Sequence, residues 1–198
     1  MKTTASIAFL VTTLCASLAS AEAPTPSLRT GTDPGEHVPA FTAPAINVSG
    51  DKPQTTEFDS SKTNRVTAYI FVGTTCPATN AYADRFKQLA QTYGSKDVDF
   101  LYIYPNNNDT SEAKLAFHKD KQLGGRLIDD QGARLARLFN AQRTSELFLA
   151  DKNGVVVYHG ALDDSRDPNA VKQHYLATAL DEVLAGKPVI TASSQVFA

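Results

Sequence analysis

One cysteine of this chain stands where a fold can make sulfur reactive. Residues 65–72, Arg-Val-Thr-Ala-Tyr-Ile-Phe-Val, are rich in β-branched and aromatic side chains and read as a strand. Gly73-Thr74-Thr75 follow, then Cys76 and Pro77, and an amphipathic helical pattern starts at once. A thiol at a helix N-terminus meets unpaired backbone N–H groups and the positive end of the helix dipole. Both favour the thiolate, the form that attacks a disulfide or a peroxide. The spacing also shows what is missing: the second cysteine of a Cys-x-x-Cys pair would fall at position 79, which is Thr79.

The other cysteine, Cys15, lies in an N-terminal segment that reads as a secretory signal. Lys2 supplies a positive start, Ile7 to Leu18 is largely apolar, and Ala19-Ser20-Ala21 fits a cleavage site. That apolar run is short for a bilayer span, and nothing later is apolar enough to cross one. Cleavage after Ala21 would leave an exported chain, periplasmic or secreted, in which Cys76 is the only thiol and no internal disulfide can form. A single thiol in that setting points to an intermolecular bond or to catalysis, against the plainer alternative of a buried, inert cysteine. The formal net charge of −2 argues against nucleic acid or an anionic membrane as a main partner. No His/Cys spacing suggests a metal site, and no cofactor is indicated.

The elements that would position Cys76 follow from pattern. Residues 22–40, with four prolines, read as an extended lead-in to a single domain over 41–190, and 191–198 as a tail. Ala45–Val48 reads as a short strand and Gly50-Asp51 as a turn. Tyr82, Phe86, Leu89, Ala90 and Tyr93 share one face of the helix after Cys76, which Gly94 ends. Val98–Tyr104 is a strand apolar on both faces, as in a parallel sheet. Asp109, three residues before Glu112, looks like the start of a capping box for a helix to about Lys121. Leu127-Ile128 is a short strand, and a small helix after Asp130 or Gln131 would turn Leu135, Leu138 and Phe139 inward. Residues 146–150 and 155–158 flank an Asn-Gly turn and read as a hairpin. Asp167 and Pro168 open a last helix with Val171, Tyr175, Leu176, Ala179 and Leu180 on its apolar face. Short connections make the early strands parallel by right-handed crossovers, and the hairpin adds an antiparallel edge. The result is an α/β mixed sheet with helices on both faces.

In this order the chain resembles the thioredoxin fold, in the branch of the redoxins and thioredoxin-like peroxidase relatives. The pieces that carry the likeness are Val38-Pro-Ala-Phe41, the strand into Cys76-Pro77, the inserted strand–helix at 127–139, Arg143–Leu149 before the hairpin, and the tail pieces Gly160–Asp164 and Leu184–Pro188. The resemblance covers about residues 38–188. It implies that Cys76 is the attacking cysteine and that Pro77 is the proline after it. Thr79 takes the place of a resolving cysteine, and Ser145 that of a cis-proline facing the sulfur. A cis bond before a non-proline residue costs about 2.5–4 kcal/mol, so Thr144–Ser145 is expected to be trans. Peroxidase members carry a Thr three residues before the cysteine; Gly73 stands there. A C-terminal cysteine common in exported relatives is absent from 193–198.

Each candidate carries a plainer alternative. Thr79, one turn after Cys76, is placed to hydrogen-bond the thiolate or merely to fill a first-turn backbone bond. Arg143 would lower the thiol pKa if it faced the sulfur, but reads first as a solvated arginine. Thr144 would present its backbone to a peptide or, as preferred, shape the loop. His159 reads as a surface histidine, His118 and His174 as solvent-facing, and Asp163-Asp164 as an acidic turn rather than a cation site. Three functions are compatible with these residues. The first is thiol–disulfide exchange with protein or small-molecule thiols and disulfides, the mixed disulfide being resolved by an external thiol. The second is a one-cysteine peroxidase, and the third a redox-silent binding module.

Overall fold

The computed structural model describes residues 32–48 and 52–196. The signal segment, the first part of the lead-in and the turn expected at Gly50-Asp51 lie outside the described residues. The strands are β1 (Thr42–Asn47), β2 (Gln54–Asp59), β3 (Val66–Phe71), β4 (Val98–Tyr104), β5 (Arg126–Asp129), β6 (Leu147–Ala150) and β7 (Val156–Gly160). The helices are α1 (Pro77–Tyr93), α2 (Ser111–Asp120), α3 (Arg134–Leu138) and α4 (Tyr175–Leu184). They form one mixed sheet of order β2-β1-β5-β4-β3-β6-β7. β3, β4 and β5 are parallel, while β1, β2, β6 and β7 join antiparallel.

The period of two along the central strands divides the core. In β3, Val66, Ala68 and Ile70 face the layer of α1 and α4, whereas Tyr69 and Phe71 face the layer of α3 and Phe41. In β4, Phe100, Tyr102 and Tyr104 join the first core and Leu101 and Ile103 the second. Every residue of β3 is buried, as its apolar run requires of a central strand. Cys76 follows the C-terminal end of this strand, the end at which open α/β sheets present their ligand sites. Among the described residues no helix is long and apolar enough to cross a membrane.

Several elements differ from their sequence reading. β2 has no apolar alternation, since five of its residues but Phe58 are exposed or half-buried, and only its pairing with β1 makes it a strand. β1 begins at Thr42, ahead of the expected Ala45. Helix α2 is capped by Thr110, whose side chain accepts the Ala113 N–H; Asp109 instead accepts the Thr74 hydroxyl at 2.6 Å. Asp167 and Pro168 open only a short 3₁₀ turn, Pro168–Ala170, and α4 starts at Tyr175, so Val171 lies outside it. Leu138 is 37 % exposed rather than inward.

The histidines also differ. His118 is fully buried: its Nδ1 lies 3.1 Å from the Tyr104 hydroxyl and its ring meets the edge of Tyr102. Lys114, one turn earlier, is buried too and pairs with Asp129 at 2.6 Å. Polar residue types on one face of α2 thus concealed a buried face. Burial pushes the His118 pKa down to about 4. His159 is half-buried against Phe148 and Glu146, not a free surface group. His174 is largely exposed, at the N-cap of α4. Asp163 is buried and paired with Arg85.

Candidate active site

The turn from β3 into α1 is held by short local bonds. Val72 N–H donates to Ile103 O at 2.9 Å, which continues the sheet one residue past β3. Cys76 N–H donates to Gly73 O at 3.2 Å, closing the loop under the cysteine. The Asn80 side chain reaches back from the first turn and donates to Cys76 O at 3.0 Å and Thr74 O at 3.2 Å. At Gly73 a Cβ would stand 2.8 Å from Asn106 Nδ2, so a larger residue there would have to displace the Asn106 side chain. Cys76 itself is the N-cap of α1, Pro77 occupies the first turn where its missing N–H costs nothing, and no acidic residue sits in that turn. The helix dipole at the sulfur is therefore not offset.

A second loop comes against the first. Among the described residues no peptide bond is cis, so Thr144–Ser145 is trans. Ser145 is buried and left-handed, at φ +69°. Its N–H donates to Phe71 O at 2.6 Å, and Phe71 N–H donates to Glu146 O at 2.9 Å. The Ser145 hydroxyl lies 3.2 Å from Thr79 Oγ1, which also accepts the Gly73 N–H at 3.2 Å. Thr79 is fully buried. Thr79 Oγ1 thus sits between the Gly73 N–H and the Ser145 hydroxyl, one turn after Cys76. The Glu146 carboxylate holds the loop from below: Oε2 accepts the N–H groups of Gln142 and Arg143 at 2.7 and 3.1 Å, and Oε1 lies 2.7 Å from His159 Nε2. Burial raises the Glu146 pKa, but the His159 contact and the two backbone donors outweigh it and hold the carboxyl below its usual range.

These loops set the state of the sulfur. Cys76 is half-buried and free. As a thiol it makes no hydrogen bond that caps the helix. Burial pushes its pKa up; the Thr144 hydroxyl, the N–H and hydroxyl of Thr79 and the Ala78 N–H pull it down, and the donors win. Cys76 faces a cleft of about 450 Å³ whose other lining residues are Pro77, Ala78, Arg143, Thr144 and Arg166.

The structure thus gathers Cys76, Pro77, Arg143 and Thr144 around one cleft and sets Thr79 and Ser145 beneath them. Thr144 contributes its hydroxyl, a role distinct from the loop-shaping read from sequence. Arg143 is exposed at the cleft and donates to Val196 O at 3.3 Å. Three residues were not legible beforehand. Arg166 lies far from Cys76 in sequence, in a segment with no periodic pattern. Arg85 holds that segment from α1, donating to Ser165 O at 2.9 Å and Arg166 O at 2.7 Å while paired with Asp163. Glu146 gave one faint signal, a carboxylate directly before the apolar run of β6.

Comparison with known proteins agrees with this architecture. An uncharacterized conserved protein of Geobacillus kaustophilus superposes with a TM-score of 0.71 at 24 % identity, over 82 % of this chain and 89 % of that one. A hypothetical protein of Sinorhizobium meliloti 1021 gives 0.68 at 26 % identity, over 84 % and 90 %. A secreted Mycobacterium tuberculosis disulfide oxidoreductase homologous to E. coli DsbE gives 0.53 at 19 %, over 74 % and 95 %. No curated protein matches the sequence significantly. The fold is thioredoxin-like, and a family model described as Redoxin matches residues 33–174; the chain belongs to the Redoxin family.

Proposed function

We propose that this protein is an exported thioredoxin-like thiol–disulfide exchange protein that works through Cys76 alone. The observation that carries the reading is a half-exposed sulfur at the start of α1, ringed by donors that hold its pKa below the ordinary thiol value. The thiolate attacks one sulfur of a disulfide, the S–S bond breaks, and the leaving half departs as a thiolate that takes a proton from water. Thr79 occupies the position from which an internal thiol would resolve the mixed disulfide, so an external thiol must release Cys76. Export rests on the signal-like residues 1–21 and is in keeping with the secreted M. tuberculosis neighbour.

Two observations weigh against the rival readings. Gly73 stands where peroxidase members carry a threonine, which disfavours the one-cysteine peroxidase. An inert binding module gives no reason for the donors around the sulfur. The test is covalent trapping. Incubated with a small disulfide at neutral pH, the protein should take up one equivalent at Cys76 by intact mass and lose it on addition of an external thiol. Cys76→Ser should take up none. A Cys76 that stays unmodified while an unfolded control reacts would rule the proposal out.

A further inference from the structure

We infer that the Cys76 cleft selects disulfides and thiols that carry carboxylates, with Arg143 and Arg166 as the residues that bind them; the inference rests on Cys76 being the attacking sulfur. Arg143 and Arg166 are the charged residues lining the cleft, and no acidic residue lines it. They come from separate parts of the chain, one from the loop before β6 and one from the segment between β7 and α4. Among the described residues neither forms an ion pair. Arg65, Arg85 and Arg126 each hold an aspartate, Arg134 donates to Thr42 O of β1 and Arg137 to Gly132 O beside α3. Arg143 gives one donor to Val196 O and keeps the rest of its fork.

Arg166 is built into place. Arg85 grips two consecutive carbonyls, Ser165 O and Arg166 O, and so fixes the backbone that carries the second arginine. The same Arg85 neutralises the buried Asp163, three residues from Arg166, so that acid does not cancel the cleft's charge. Asp167, the next residue, caps the following turn, accepting the Asn169 N–H at 2.9 Å, and does not line the cleft. Two arginines lining the cleft of a nucleophilic sulfur suit a carboxylate in two ways. The planar fork accepts it with paired hydrogen bonds, and the positive field raises the local concentration of an anionic partner. Without the arginines the opposite preference would hold, since a thiolate repels an anionic disulfide. In the exchange itself Cys76 is oxidised to the mixed disulfide and the departing half is reduced to a thiol, whose carboxylate the arginines release with it.

The test compares three disulfides that differ in charge: dithiodipropionate (anionic), hydroxyethyl disulfide (neutral) and cystamine (cationic). Mixed-disulfide formation at Cys76 is followed by quenched-flow mass spectrometry at low salt. The readout is the ratio of anionic to cationic rate constants, in which any change in thiolate fraction cancels. Exposed charge pairs are each worth about 0.2–1 kcal/mol, so each arginine should contribute about threefold to the ratio and both together about tenfold. Arg143→Gln with Arg166→Gln should remove that tenfold, Arg→Lys at both should retain most of it, and raising the salt should shrink it in the wild type. A ratio unchanged in the double Gln variant, with all three disulfides reacting at Cys76, would overturn the charge selection and leave the exchange reading standing. If none of the three reacts at Cys76, the exchange reading fails and this inference falls with it.

Discussion

Ser145→Pro should be among the most damaging single substitutions near the site. The proline ring fixes φ near −65°, and Ser145 sits at +69°. The loop between Arg143 and Glu146 must therefore be rebuilt, at about 1–3 kcal/mol. Proline also deletes the N–H that donates to Phe71 O at 2.6 Å, leaving a buried carbonyl short of a partner for about 1–3 kcal/mol more. The hydroxyl contact with Thr79 is lost as well, about 1 kcal/mol. Against these, a stiffer unfolded chain returns about 0.4–1 kcal/mol. The net loss is about 4 kcal/mol. With a urea m-value of about 2 kcal/mol/M the midpoint should fall by about 2 M. Ser145→Gly is the control: it suits the positive φ, keeps the N–H and gives up only the hydroxyl, for about 1 kcal/mol. Urea unfolding followed by far-ultraviolet circular dichroism measures both. If proline costs no more than glycine, the left-handed, hydrogen-bonded Ser145 is not what holds the loop.

Wild-type Cys76 should be alkylated by iodoacetamide with a midpoint below the free-thiol value of about 8.5, and Thr144→Val should move that midpoint upward; a wild-type midpoint at or above 8.5 would contradict the donor geometry. Disulfide reduction by the wild type should depend on an added small thiol, and Thr79→Cys should relieve part of that dependence at a stability cost of about 1 kcal/mol for the Gly73 N–H bond; robust wild-type turnover without added thiol would exclude the single-cysteine mechanism. His118, with its folded pKa depressed to about 4, leaves the unfolded chain to take up the proton first as pH falls below about 6.5. Stability should therefore drop by about 1.4 kcal/mol per pH unit between about 6.5 and 4, and His118→Gln should flatten that part of a urea-midpoint-against-pH curve.

The parts of the fold legible in the sequence are those whose burial is written as a repeat. β3, β4 and α1 are long, and their apolar residues recur at the periods a central strand and an amphipathic helix require, so their bounds were readable to within a residue or two. β2 was not, because Gln54–Asp59 buries little beyond Phe58 and owes its form to the register with β1. α2 misled for the converse reason: Lys114 and His118 are polar types buried by specific partners, Asp129 and Tyr104, that lie on other elements. The same division runs through the site. Cys76 and Pro77 follow from a strand-to-helix junction, which is local. Arg166 depends on Arg85 and the crossing of two segments, which no local pattern records.

The two positions at which the chain departs most from the thioredoxin pattern, 79 and 145, are in contact: their hydroxyls are 3.2 Å apart, under the sulfur of Cys76. They therefore form one device. A cysteine at 79 would offer a thiol, a weak acceptor, to the Gly73 N–H and a weak donor to its surroundings. A proline at 145 would offer neither the N–H that Phe71 O uses nor a hydroxyl for Thr79. Thr79 and Ser145 together satisfy the turn below Cys76 and close the Phe71 backbone, and the Thr79 hydroxyl helps hold the Cys76 pKa down. In the proposed exchange, the chemistry given up would be internal resolution of a mixed disulfide. What is kept is a thiol whose pKa the surrounding donors lower, opening on a cleft lined by Arg143 and Arg166. Under the proposed exchange function, such a site would form a bond with an external sulfur and need a second external thiol to break it.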